Sequence, residues 1–299
     1  MATLREIKRR ITSVNNIAQV TNAMQLVAAS RMRKAQENAQ KGKLYAQRLR
    51  EMMVQLSLNK TLNVDPMINP TYTTSKNVYV LVFSPQRGLA GALPGNLTRF
   101  TIQFVRELEK NGYSVQLITI GRKVRDQLVF GGHELVADFS DMPEVPTTAD
   151  VRPILKMITE GYLQHDAGKV FMIYPDFVNP MVQMPTAQTL LPLDIETLEL
   201  AEEEFDKTAG VVQTDAAMIF EPDMGSILSE LIPQYLETQI FQKRLETIAS
   251  EYSARMVAMK NATENAKELK EDLTIEFNKS RQAIITRELA EISAARVSK

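Results

Sequence analysis

The residues most suited to chemistry are few and scattered. The stretch Gln86-Arg87-Gly88-Leu89-Ala90-Gly91-Ala92 follows an apolar run and precedes a helical pattern. A Gly-rich turn in that place can cradle a phosphate on its backbone N–H groups. It is neither a dinucleotide fingerprint nor a P-loop, which needs Gly followed by Lys and Ser or Thr, so a tight turn or contact surface is the simpler reading. His133-Glu134 lacks the second histidine of a zinc-protease helix, and His165 stands alone; both read as surface or helix-end residues. The chain has no cysteine, which excludes disulfides, thiol catalysis and Cys-based zinc sites. No nucleophile–base–orienter trio can be assembled by spacing. Lys8-Arg9-Arg10 with Arg31, Arg33 and Lys34 form basic clusters suited to nucleic acid or anionic lipid, or to an acidic protein surface. Little aromatic interleaving supports the nucleic-acid option.

Charge is unevenly spread. Residues 1–60 carry 12 Lys/Arg against 3 Asp/Glu, residues 61–224 carry 12 against 22, and residues 225–299 carry 11 of each. The formal net charge of −1 thus conceals a basic arm and an acidic middle, which implies different partners for each. No run reaches the ~18 apolar residues that a membrane span requires. No apolar leader follows Met1, which argues against secretion.

The elements that must position these residues begin with two long helices. Residues 1–65 contain no Pro and only Gly42, and Thr3 with Glu6 offers a capping box. Leu4, Ile7, Ile11, Val14, Ala18, Thr21, Met24 and Ala28 recur at steps of three and four, one stripe along a helix over 3–58. From Gln234 to Lys299 there is neither Gly nor Pro. A second stripe runs through Leu245, Ile248, Tyr252, Met256, Met259, Ala266, Leu269, Leu273, Phe277, Ser280 and Ile284. Its mixed steps imply weak or altered supercoiling, and Pro233 is placed near its start or at a kink. Helices this long occur in coiled coils, membranes or repeats. Antiparallel packing of the two ends is the economical solution; separate bundles or a homo-oligomer are the alternatives. Apolar residues around more than one face imply a further partner around the pair.

Between the ends, the spacing predicts strands at 77–83, 113–120, 169–174 and 183–191, with helices at 96–110, 122–130 and 149–164, the last opened by Thr148 or Asp150. This alternation argues for a partly parallel sheet with crossover helices. The acidic stretch 194–207 reads as solvated surface or connection. The expected division is 1–65, a shaft helix; 66–222, a central domain; and 223–299, a second shaft helix.

Three long strings then identify a resemblance: Ile7-Lys8-Arg9-Arg10-Ile11 with Ala23-Met24-Gln25-Leu26-Val27-Ala28-Ala29-Ser30-Arg31-Met32-Arg33-Lys34; Ser250-Glu251-Tyr252-Ser253-Ala254-Arg255-Met256-Val257-Ala258-Met259-Lys260; and Asn278-Lys279-Ser280-Arg281-Gln282-Ala283-Ile284-Ile285-Thr286-Arg287-Glu288-Leu289. Over essentially its whole length the chain resembles the gamma subunits of F-type ATP synthases, bacterial in type. The resemblance implies an α/β class fold, a long antiparallel coiled coil of N- and C-terminal helices with a central Rossmann-like α/β domain. It implies a central rotor stalk that couples proton translocation to ATP synthesis, contributes no catalytic residue and needs no cofactor or metal. The implied partners are three alpha and three beta subunits around one copy of this chain, the epsilon subunit and the c-subunit ring. Nucleic acid is not among them, and the membrane is met only through Fo, at the cytoplasmic face of the bacterial cell membrane. Lys8, Arg9, Arg10, Met24, Arg255, Arg281, Gln282, Thr286 and Glu288 are implied contacts to the alpha/beta ring. Arg87, Gly88, Leu89, Phe220, Glu221, Pro222 and Asp223 are implied contacts to epsilon or the c ring. At the turn, Gln86, Ala90 and Ala92 depart from the family pattern. Two other readings stay open on residues alone: an α/β enzyme with a coiled-coil arm, using the 87–92 turn, and a basic coiled-coil nucleic-acid binder.

Overall fold

The computed structural model describes residues 3–57, 66–68, 75–193 and 224–297. In chain order the elements are α1 (Leu4–Ser57), β1 (Asn77–Phe83), α2 (Leu93–Lys110), β2 (Ser114–Ile120), α3 (Arg122–Phe130), β3 (Leu135–Asp138), α4 (Thr148–Leu163), β4 (Lys169–Asn179), β5 (Val182–Leu191) and α5 (Met224–Val297). The chain divides into two compact units: residues 1–30 with 255–299, and residues 31–254.

The first unit pairs the start of α1 with the latter part of α5. Glu6 N–H donates to the Thr3 hydroxyl and Thr3 N–H donates to the Glu6 carboxylate at 2.8 Å, so the capping box closes as its spacing predicts. Asn15 meets Lys270 at 2.9 Å and Thr21 meets Thr263 at 2.7 Å, so position falls on one helix as it rises on the other. The pairing is therefore antiparallel. Every member of the predicted α1 stripe is buried or half-buried, and Val14 and Ala18 pack with Ala266 and Leu273. On α5 the predicted stripe skips from Met259 to Ala266. The buried residue between them is Thr263, a polar member whose hydroxyl donates to Thr21. Leu269 and Ile284 are exposed rather than inside.

The second unit is a five-stranded sheet in the order β3-β2-β1-β4-β5. β1 runs parallel to both β2 and β4, β2 is parallel to β3, and β5 is antiparallel to β4. Successive β1 side chains point to opposite faces. Val78, Val80 and Val82 pack under α2 and α3, with Leu97, Val105, Val124 and Leu128. Tyr79, Leu81 and Phe83 pack on the other face with Ile154 and Ile158 of α4, Leu49 and Met53 of α1, and Leu236 and Ile240 of α5. Both faces are covered, which is why β1 reads as an unbroken apolar run rather than an alternation. Gly161 lets α4 approach this face closely: a Cβ there would stand 2.6 Å from the Tyr79 ring.

Several boundaries differ from the sequence expectation. α5 begins at Met224 and holds Pro233 inside it. Leu228, Leu231, Ile232 and Tyr235 bury in the sheet core, and that packing outweighs the hydrogen bond a proline removes. α2 begins at Leu93, with a proline in its first turn, where a missing N–H costs nothing. β4 extends to Asn179 and forms a long hairpin with β5. α4 is capped by Thr147, whose N–H donates to Asp150 at 2.7 Å, rather than opened by Thr148 or Asp150. The short edge strand β3 is additional to the predicted set.

Candidate functional site

In an open α/β sheet the ligand crevice lies beyond the carboxyl ends of the strands, where the order of connections reverses. Here β1 leads through α2 to β2 on one side, while β4 lies on its other side. The reversal therefore falls at the ends of β1 and β4, beside the 84–92 turn. Gly121 shapes this end of the sheet: its φ is +109°, and a Cβ would stand 2.3 Å from the Ser84 carbonyl oxygen. The buried Ser84 hydroxyl accepts the Val124 N–H at 2.8 Å.

The crevice is filled by α5 of the same chain. Glu251 accepts hydrogen bonds from the backbone N–H groups of Gln86 at 2.8 Å and Arg87 at 3.2 Å. Those amides are the ones a phosphate would use, and a carboxylate holds them instead. Ser250 donates to the Pro175 carbonyl at 3.1 Å, closing α5 onto β4 just past the part that pairs with β1. Arg244 is only 1% exposed, and its guanidinium points toward the Ser84 carbonyl, 3.5 Å away. Burial pushes the Arg244 pKa down, and the charge of Glu251 opposes that shift. Lys243 sits 4.1 Å over the Tyr174 ring and 3.1 Å from Glu246. Burial works against its charge, yet Glu246 and Tyr174 outweigh it and raise the Lys243 pKa.

A second cluster lies where α1, α5 and the loop after β3 meet within the same unit. Glu144 accepts from Arg31 of α1, from the Tyr252 hydroxyl of α5 and, at 3.3 Å, from Arg87 of the turn. Arg31 also donates to the Tyr252 hydroxyl at 3.0 Å. The loop is anchored further by Arg125, which donates to Asp138 and Ser140 at 2.8 Å each, and by Gln86, whose side chain donates to the Ser140 carbonyl. Partial burial raises the Asp138 pKa, but hydrogen bonds from Arg125 and Ser140 outweigh it and hold the carboxyl below its usual range. Beside this cluster opens a cleft of ≈ 310 Å³, lined by Lys34, Asn38, Leu245 and Ile248 among others.

The predicted residues are distributed as follows. Lys8, Arg9 and Arg10 are exposed on α1, and Arg281, Gln282, Thr286 and Glu288 are exposed on α5. Met24 is half-buried, while Arg255 is buried in the paired-helix unit. Arg87 and Leu89 are exposed at the turn and Gly88 is half-buried. Phe220, Glu221, Pro222 and Asp223 lie outside the described residues. No catalytic constellation brings these positions together. His133 lies in the α3–β3 turn and His165 just past α4. Among the described residues no three His, Asp or Glu side chains are grouped to hold a metal ion. No described helix is long and apolar enough to cross a membrane.

Glu144, Arg244 and Glu251 carry the geometry but were not singled out from the sequence. A signal existed for two of them: Arg244 and Glu251 stand seven residues, about two helical turns, apart on a face otherwise rich in apolar and small residues. Glu144 gave none, because its partners come from three distant segments.

A family model described as ATP synthase matches residues 3–296. The ATP synthase gamma chain of Roseiflexus castenholzii is 40% identical over 301 residues, covering 98% of this chain and 97% of that one. The ATP synthase gamma chain of Chloroflexus aurantiacus is 38% identical over 296 residues, covering 98% of each. Among solved structures, a chain of the Euglena gracilis mitochondrial ATP synthase (OSCP/F1/c-ring, rotational state 3) matches with a TM-score of 0.65 at 17% identity, covering 99% of this chain and 94% of that one. A chain of the central stalk and c-ring of the Tetrahymena thermophila mitochondrial ATP synthase matches at 0.57 and 22% identity, covering 81% of this chain and 99% of that one. At these identities the two structures speak to the fold alone.

Proposed function

Because the chain belongs to the ATP synthase gamma chain family, we propose that it is the central rotor stalk of a bacterial F-type ATP synthase, a non-catalytic part that carries rotation to catalytic sites on other subunits. One copy stands within three alpha and three beta subunits and joins the epsilon subunit and the c ring, peripheral at the cytoplasmic face of the membrane. Proton flow turns the ring and the stalk with it. The stalk is asymmetric, so each orientation makes different contacts with each beta subunit. A partner biases a two-state equilibrium only by interacting more favourably with one state than with the other, and differential contacts supply that difference.

The observation that carries this reading is the unfinished surface of the paired-helix unit. Every described side chain from 281 to 290 is exposed, and Ile284, Ile285 and Leu289 are among them. On α1, Ile17, Val20, Leu26 and Val27 are exposed as well. Apolar groups left in water at this density favour a surrounding protein sleeve. The polar residues Arg281, Gln282, Thr286 and Glu288 lie among the apolar ones and give the sleeve directional contacts. Lys8, Arg9 and Arg10 supply the basic arm for acidic loops. Against the enzyme alternative, the crevice where an α/β domain of this kind would take its ligand is occupied by Glu251 and Arg244.

The test is co-expression with bacterial alpha and beta subunits, followed by the mass and ATPase activity of the purified assembly. The expected result is a complex of three alpha, three beta and one copy of this chain, more active than alpha and beta alone. Failure to associate with matched alpha and beta subunits overturns the proposal.

A further inference from the structure

The 86–89 turn presents an exposed side chain on strained backbone. Leu89 has a φ of +62° and is 60% exposed. A non-glycine residue enters this left-handed region at a cost and stays there only where its surroundings fix the chain. The chain is held two and three residues before it, where the Gln86 side chain also donates to the Ser140 carbonyl. The Glu251 carboxylate binds two consecutive amides, Gln86 and Arg87, from a position only 4% exposed. Arg244, two turns earlier on the same helix, is buried as well and reaches the Ser84 carbonyl just before the turn. On the solvent side Arg87 reaches Glu144 at 3.3 Å, but those partners are one-third to two-thirds exposed. Water screens the pair. The buried carboxylate is the stronger constraint.

We infer that Glu251 is the positioning residue for the 86–89 turn, holding it through the two amides its carboxylate accepts from. Two parallel acceptor contacts fix the direction of the turn as well as its distance. They thereby set where Arg87 and Leu89 are presented. Glu251 does the work that a bound phosphate does in a nucleotide-binding domain, so the turn is ordered without any ligand. The consequence for binding rests on the reading that this turn faces epsilon and the c ring; the positioning itself does not.

The experiment is amide hydrogen exchange, resolved residue by residue, on the full-length chain and its variants. Glu251→Gln removes a charge that acts on the buried Arg244, so the double variant R244M/E251Q, which removes both charges, is measured beside it. The expected result in both is exchange faster by about 10-fold or more at Gln86 and Arg87, the loss of charge-assisted hydrogen bonds, with β1 amides unchanged. Glu251→Asp, which keeps the charge on a shorter arm, falls between. Unchanged protection at Gln86 and Arg87 in either variant overturns the inference. Equal loss along all of β1 also overturns it, since Glu251 is then only part of the scaffold. Affinity for the epsilon subunit is measured on the same proteins. Faster exchange with unchanged affinity upholds the positioning role and removes the turn from the epsilon-facing surface.

Discussion

In the sheet unit, every β1 side chain from Val78 to Phe83 is buried, and helices cover both faces of the sheet. In the paired-helix unit, no described side chain from 281 to 290 is buried, and apolar burial is confined to a seam that includes Ile7, Val14, Ala18, Ala28, Met259, Ala266 and Leu273. Both regions draw on the same apolar residue types, yet one is complete within the chain and the other is not. The difference teaches where each apolar residue acts. In the sheet unit it stabilises the fold; in the helix unit much of it stays exposed, where the proposed protein sleeve would cover it. Small residues at the helix seam let the helices approach, but they bury little area, at roughly 25 cal/mol per Å².

That contrast predicts opposite outcomes for one chemical change. Leu81→Ala, at a fully buried site, is expected to cost about 2–5 kcal/mol, read as a lowered urea midpoint of the isolated chain. Leu289→Ala, at a site 59% exposed, is expected to leave that midpoint within about 0.5 kcal/mol and instead to weaken association with alpha and beta subunits. An equal loss of stability in both would break the comparison. Gly161→Ala tests the close packing of the sheet unit. The added methyl meets the Tyr79 ring, and the expected cost is about 1–3 kcal/mol, seen as a lower thermal midpoint.

In the helix unit, Thr263→Val is expected to cost about 1 kcal/mol, because it removes the hydroxyl that donates to Thr21. The double variant T21V/T263V recovers part of that loss, and a thermal-unfolding cycle of the four proteins measures the coupling. The smallest effect expected is pH-dependent. The Asp138 carboxyl is held below its usual range, net of a burial effect that acts the other way. A depressed carboxylate adds stability above its unfolded pKa and loses it as pH falls through the folded value. Asp138→Asn should therefore lower stability by less than about 1 kcal/mol at neutral pH, since the pair is partly exposed. The gap to the unmodified chain should close on acidification below the ordinary carboxylate range, as followed by unfolding curves at several pH values.

Legibility followed the length scale of each signal. The α1 stripe and the Thr3–Glu6 capping box were readable because a helix repeats its pattern locally. β1 was readable as a continuous apolar run. β3 was not: four residues, alternately half-buried and exposed at a sheet edge, do not outweigh the glycines before them. Pro233 was placed near the start or at a kink; the core contacts of Leu228, Leu231 and Ile232 sustain the helix through it. Thr263 was passed over in the stripe because its partner, Thr21, lies 242 residues away.

The sequence by itself determined that two long amphipathic helices flank an α/β region, since period and composition are local properties of the chain. Its long strings also identified the family. The tertiary structure alone decided that α5 fills the crevice at the end of β1, that Glu251 holds the amides of Gln86 and Arg87, and that Glu144 joins Arg31, Arg87 and Tyr252. Each of those contacts joins residues more than fifty positions apart. Their energies depend on burial and on sub-ångström placement, and neither is encoded in the spacing of residues along the chain.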